Sequence, residues 1–177
     1  MKKINFAVLI GAMVLLSAFT IYNTNWKIND NYNIHFVGTD VEGVFEKFKG
    51  EVAFDENELP TSKFSLLVEV ESIATGNFLK NRHAKSDKWF DAEKYPNISF
   101  KSSKFSKTAS GYAVEGLLNI HCVEKEITIP FTFTNNIFKG NFTVNRMDYK
   151  IGTMEGMSKK VSNEIKIDFS VPVTKNK

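Results

Sequence analysis

Few residues in this chain could do chemistry near neutral pH: three histidines, His35, His83 and His121, and one cysteine, Cys122. Zinc sites gather His, Cys, Asp or Glu at short, regular spacings, and the intervals here match no such pattern. His35 and His121 fall on the polar phase of alternating runs, so both are predicted to face solvent. His121 next to Cys122 raises a nucleophile–base pair. Along a strand, however, neighbouring side chains point to opposite faces, which keeps the two apart. There is no serine in a nucleophile elbow and no glycine-rich phosphate loop. Asn97-Ile98-Ser99 and Asn141-Phe142-Thr143 match the glycosylation pattern, but both lie in expected strands and read as chance matches. No catalytic or metal-ligating set is expected.

The densest polar constellation lies between Ser72 and Pro96, SIATGNFLKNRHAKSDKWFDAEKYP. Lys80, Arg82, His83, Lys85, Asp87 and Asp91 surround Phe78, Trp89 and Phe90. Asn77 can cap a short helix that carries Phe78 and Leu79, and Ser86 can cap a second turn that carries Trp89 and Phe90. Pro96 favours an extended re-entry into a strand at Ile98 and Phe100. Two short helices of this kind would lie across one end of the fold with their aromatics turned inward. Trp89 and Phe90 would then either plug that end or rim an entrance.

The elements that position this segment are strands. Tyr32, Ile34 and Phe36 alternate with polar residues, as do Phe64, Leu66, Val68 and Val70. The same holds for Val114, Leu118, Ile120 and Cys122, for Ile127, Ile129, Phe131 and Phe133, for Phe138, Phe142 and Val144, and for Ile165, Ile167, Phe169 and Val171. Period-two runs mark strands with one wet and one buried face. Asp55 to Pro60, Thr108 to Gly111, Asn135-Asn136 and Gly152 to Lys159 supply turn residues between them. The apolar phase switches from even to odd positions near residue 123, which places a tight hairpin at Val123 to Lys125. The pattern is all-β: about eight antiparallel strands closing into one barrel, with one or two short helices between strands. Such a barrel is filled by side chains or holds one small ligand. Its inward phase is rich in phenylalanine, and the pattern alone favours a filled core.

Residues 1–20 read differently. Lys2 and Lys3 precede an apolar run from Ile4 to Leu16 and the small residues Ser17, Ala18 and Thr20, the layout of a secretory signal peptide cleaved near Ala18 to Thr20. An uncleaved anchor is the weaker reading, because a span needs about 20 apolar residues. Residues 21–177 then form one domain, with no integral membrane span, in the bacterial periplasm or outside the cell. Loss of the two lysines lowers the formal charge from +3 to +1, unlike the basic footprint of a nucleic-acid binder. A single cysteine allows no internal disulfide, so the fold rests on its core.

Several stretches, taken in order, resemble the YceI family of exported bacterial proteins. They are Trp26-Lys27-Ile28-Asn29, Gly43-Val44-Phe45, Gly50-Glu51-Val52-Ala53-Phe54-Asp55, Ser72-Ile73-Ala74-Thr75-Gly76-Asn77, Arg82-His83, Trp89-Phe90-Asp91, Lys94-Tyr95-Pro96-Asn97-Ile98-Ser99-Phe100, Gly116-Leu117-Leu118-Asn119-Ile120-His121 and Asn145-Arg146-Met147-Asp148-Tyr149-Lys150-Ile151-Gly152. Cys122 stands where the family often has glycine, so the hairpin there is expected to close differently. The resemblance implies a lipocalin-like barrel with an elongated apolar cavity for a polyisoprenoid, such as the tail of a quinone or polyprenyl lipid. It implies no enzyme activity and no cofactor beyond that bound isoprenoid-type lipid. On that reading Phe36, Phe64, Leu66, Val68, Phe100, Leu118, Ile120, Phe131, Phe142 and Phe169 line the cavity. Trp89 and Phe90 rim one end, and Arg82, His83 and Asp91 are the polar candidates near a head group. Two alternatives stay open: a barrel enzyme acting on a small apolar substrate, and a filled barrel serving as an interaction module. A homodimer would need a side-on surface, because a closed barrel offers no free edge.

Overall fold

The computed structural model describes residues 25–153 and 155–176. The expected signal peptide and its cleavage site lie outside the described residues. Among the described residues eleven strands are formed, all paired antiparallel: β1 (Asn25–Ile28), β2 (Asn33–Gly38), β3 (Val41–Phe45), β4 (Phe48–Ala53), β5 (Lys63–Glu69), β6 (Ile73–Ala74), β7 (Asn97–Thr108), β8 (Gly111–Ile120), β9 (Val123–Thr134), β10 (Ile137–Asn145) and β11 (Glu164–Lys175). The ring β1-β4-β5-β7-β8-β9-β10-β11 closes through β1–β11, so the barrel has eight staves. Strands β2, β3 and β6 continue three of these staves toward the other end, where β2 pairs with β11 and β3, and β3 with β6. The architecture is the closed eight-stranded antiparallel barrel expected from the alternation.

The interrupted staves need their backbone groups satisfied by other means. The Tyr32 hydroxyl accepts from the Phe48 amide at 2.9 Å and donates to the Glu46 carbonyl at 2.8 Å. Ser72 does the same at the next break, accepting from the Lys47 amide at 3.0 Å and donating to the Glu69 carbonyl at 2.6 Å. Strand β6 does not pair with β7, and the segment between them fills that gap. It holds one helix, α1 (Phe78–Lys85), whose N-cap Asn77 accepts from the Lys80 amide at 3.0 Å. Ser86 ends α1 instead of starting a second helix, and residues 87–95 are turns. Phe78 and Leu79 do not turn inward: they are 78% and 61% exposed.

The hairpin between β8 and β9 also differs from the sequence expectation. Its loop is His121-Cys122, with Ile120 paired to Val123. Both loop residues are left-handed, with φ of 53° and 59°, as a two-residue primed turn requires. Asn135-Asn136 closes the next hairpin with φ of 53° and 59°. Cys122 thus takes a left-handed backbone conformation, which glycine would adopt without strain.

The two ends of the barrel are unlike. At one end Phe54, 1% exposed, sits among Phe64, Phe105, Tyr112, Phe131, Phe133 and Phe138, with ring centroids 5.2–6.2 Å away. The Trp26 indole braces this plug, donating to the Phe54 carbonyl at 2.9 Å. Close-packed aromatics here leave a solid floor. The other end, under α1, does not fill.

Candidate functional site

Two adjoining cavities occupy the barrel above the Phe54 floor. The lower measures about 160 Å³ and the upper about 460 Å³. Phe36, Phe45, Ile98, Ile120, Val144 and Ile167 border both, so the two meet end to end along the barrel. From Phe138 to Arg146 along β10 the chain rises about 26 Å, which strand tilt reduces to about 20 Å along the barrel axis. Among the residues lining the lower cavity, Ser99 alone is polar. The expectation of a filled core therefore holds at one end of the barrel and fails at the other.

Glycines in the wall help to make this room. Gly43 pairs directly with Phe36, and Gly140 with Phe169. A methyl group on Gly43 would meet the Phe36 ring at 2.7 Å, and one on Gly140 the Phe169 ring at 2.6 Å. Gly116 pairs with Ser102, and a methyl group there would meet the diagonal Phe100 ring at 2.7 Å. Each ring reaches over a neighbouring strand's glycine, where a side chain would leave it no room.

All ten strand residues expected in the lining border the lower cavity, from Phe64 and Phe131 at the floor to Phe36 and Ile120 at the junction. Phe142, Phe169, Leu66 and Val68 are apolar and inward-facing yet only half-buried. Trp89, Phe90 and His83 border the upper cavity. Arg82 and Asp91 border neither. Arg82 lies on the outer face of α1 and is exposed. Asp91 occupies a left-handed turn, φ 46°, whose amide donates to the Ser86 carbonyl at 2.8 Å and whose carbonyl accepts from the Lys94 and Tyr95 amides. Its position organises the turn and does not bring it to the cavity.

The buried charge at the upper cavity is Arg146, 3% exposed. It continues the inward phase of Phe138, Phe142 and Val144 one step past β10. Its guanidinium donates to four backbone carbonyls: Ile151 at 2.7 Å, and Ser158, Val161 and Ser162 at 3.1 Å each. It also lies over the Trp89 ring, 5.4 Å from the centroid. Gly152, with φ of 73°, lets both approach, since a methyl there would meet Arg146 Nη1 at 2.8 Å and the Trp89 ring at 2.9 Å. Arg146 thus fastens residues 151–162 around the mouth and puts Trp89 in a fixed place. Burial lowers its pKa from the ordinary arginine value, while its carbonyl partners and the indole face favour the cation.

His121 is a further correction. Both ring nitrogens are shielded from water, without a well-formed hydrogen bond, and the ring packs edge-on against Tyr95 at 4.2 Å. Turning inward from the β8–β9 loop gives it this position. Desolvation is the largest influence on its pKa and lowers it; nearby Asp91 and the Tyr149 backbone oppose, and Lys94 and Lys150 reinforce. Cys122, on the apolar phase of its run, is instead exposed, because it lies in the two-residue loop and not in β8. His35, by contrast, is on the outer wall as expected, with Nε2 3.1 Å from Glu42. Among the described residues, no three His, Cys, Asp or Glu side chains gather closely enough to hold a metal ion.

Such an arrangement can hold an elongated apolar molecule, with aromatic and cationic groups at its open end. Known proteins share the architecture. The crystal structure of Burkholderia cenocepacia BcnA is 29% identical, with a TM-score of 0.74, covering 81% of this chain and 96% of that one. A polyisoprenoid binding domain from Saccharophagus degradans is similar in fold, with a TM-score of 0.62 over 88% of this chain and all of that one, at 14% identity. In sequence, a UPF0312 protein of Photorhabdus laumondii is 28% identical over 137 residues, which are 73% of this chain and 71% of that protein. The family profile described as YceI-like domain matches residues 19–173, and on that match the chain belongs to the YceI family.

Proposed function

We propose that this protein binds a polyisoprenoid or similar long-chain amphiphile, such as an isoprenoid quinone, and carries, stores or scavenges it after export. The observation that carries this reading is the shape and lining of the cavity: about 20 Å long by strand rise and tilt, floored by Phe54 and open past Trp89 and Arg146. The upper space, about 460 Å³, falls within the range of about 300–1,000 Å³ common for ligand pockets. A chain buried there gains about 0.8 kcal/mol per CH₂, so tight holding needs no chemistry. Membership of the YceI family and the fold shared with a polyisoprenoid binding domain support the same class of ligand. In this reading the tail lies along Phe36, Phe100, Phe142 and Phe169, and the head group meets Trp89, Phe90 and His83 at the mouth. Arg146, behind Trp89, orients it.

Binding, not catalysis, is favoured by the placement of the titratable groups. A barrel enzyme would bring His83 and Asp91 together inside the cavity, whereas His83 borders the upper cavity and Asp91 borders neither. The test is native mass spectrometry, with organic extraction, of protein purified from its host. A retained molecule with an isoprenoid tail is expected. A barrel that stays empty when offered isoprenoid quinones, polyprenyl lipids and fatty acids would end this reading.

A further inference from the structure

Phe78 and Leu79 are unexplained by the barrel. They are 78% and 61% exposed, and they stand side by side on the first turn of α1. Arg82 lies four and three residues later, so it shares their outer face, and it is exposed as well. The other side of the same helix borders the upper cavity through Lys80, His83 and Ala84. The apolar pair is therefore at the lip of the opening, not on a remote surface.

The surrounding charge is uneven. α1 carries Lys80, Arg82 and Lys85 and no acid, and only Lys85 is matched, by Glu71 at 3.0 Å. Across the mouth, Lys159 and Lys160 are exposed, and Lys160 borders the same cavity. At the cavity edge Lys80 and Lys160 outnumber Asp40, and Arg82 adds an exposed cation beside Phe78 and Leu79. An exposed aromatic and leucine flanked by basic residues is the combination that lies in a membrane interface, apolar side chains among the acyl boundary and cations at the head groups.

We propose that the mouth end of the barrel docks on an anionic lipid bilayer, with Phe78 and Leu79 inserted and Lys80, Arg82 and Lys160 against the lipid phosphates. The opening would then face the membrane directly, and a long apolar ligand could pass between bilayer and barrel without crossing water. The purpose of the docking rests on the lipid-binding reading above; the surface itself does not.

Flotation of the purified protein with phosphatidylcholine vesicles containing about one-quarter phosphatidylglycerol tests this. Binding is expected, stronger than to phosphatidylcholine alone and weakened by salt. The double substitution Phe78→Ser, Leu79→Ser should lower vesicle partition at least tenfold, from the apolar area withdrawn. Arg82→Glu should lower it at least fivefold, from the charge near the surface. Neither should change the thermal unfolding temperature by more than a few degrees, since neither site is packed. Wild-type protein that stays unbound, or variants that float as well as wild type, would overturn the proposal. So would a dimer seen by light scattering that Phe78→Ser, Leu79→Ser converts to monomer, because the pair would then cover a second copy. Retained lipid is measured on the same preparations: vesicle binding by a barrel that retains no lipid removes the carrier reading alone, and retained lipid without vesicle binding removes the docking alone.

Discussion

The solid floor under the cavity rests on one side chain, and Phe54→Ala tests it. Phe54 is 1% exposed and touches six aromatic rings at centroid distances of 5.2–6.2 Å. Truncating a buried phenylalanine costs about 3–5 kcal/mol, and the cost is larger where the surroundings cannot collapse into the hole. Here the partners sit on five strands of a closed barrel whose hydrogen-bonded wall fixes their spacing. Each aromatic pair adds about 0.5–1.5 kcal/mol beyond the area it buries. The upper end, about 5 kcal/mol, is therefore expected. For a domain of this size a loss of that order lowers the unfolding temperature by about 10–20 °C. Circular dichroism measures the transition. The Trp26 indole, which donates to the Phe54 carbonyl, reports the same end by fluorescence. Because the floor closes the cavity without contributing to its mouth, the mass of the retained ligand should not change. A loss under about 1 kcal/mol, or a longer ligand in the variant, would show that the floor is not solid and that the division of the barrel into a packed and an open end is wrong.

Three other outcomes are expected. Trp89→Ala should cost about 2 kcal/mol, near half the figure for a fully buried tryptophan, and lower lipid retention severalfold in native mass spectra; a larger stability loss with unchanged retention would make Trp89 a plug and not a lip. Arg146→Met should leave the carbonyls of Ile151, Ser158, Val161 and Ser162 without their donor, at about 2–4 kcal/mol, and expose residues 151–162 to limited proteolysis. Burial depresses the pKa of His121, so the unfolded chain takes up this proton more readily than the folded one. Stability from this group is present above its unfolded value of about 6.5 and falls as pH drops through and below it; His121→Gln should flatten that part of a stability–pH curve followed by urea unfolding.

The barrel was legible because a stave writes itself into sequence as alternation, and the inward phase needs no knowledge of the partner strand. Phe64, Leu66 and Val68, for example, border the cavity as their phase requires. Turns were legible only where they use turn residues. Asn135-Asn136 was found, but His121-Cys122 was placed two residues too late, because neither residue type announces a left-handed backbone. His121 was read as exposed for the same reason: a strand phase was applied to a loop. Ser86 has the chemistry of an N-cap and serves at the other end of a helix, since α1 ends where its carbonyls meet the 86–95 turns. Arg146 had a readable signal. It is a charge on an inward phase, two residues after Val144, in a stretch already singled out. The carbonyls that make such a burial tolerable come from residues 151–162, and no local pattern foretells that fold-back.

The pairing of β1 with β11 has one more consequence. Trp26 lies opposite Lys175, and the Asn176 amide donates to the Asn25 carbonyl at 3.0 Å. The two ends of the described chain therefore meet beside the Phe54 floor, at the pole away from α1. A tag, a fusion partner or a surface linkage attached at either end leaves the opening unobstructed. The same adjacency makes the barrel a candidate for circular permutation. A short linker could join the ends, and new termini could be cut at the exposed Thr108–Gly111 turn, which lies at that same pole.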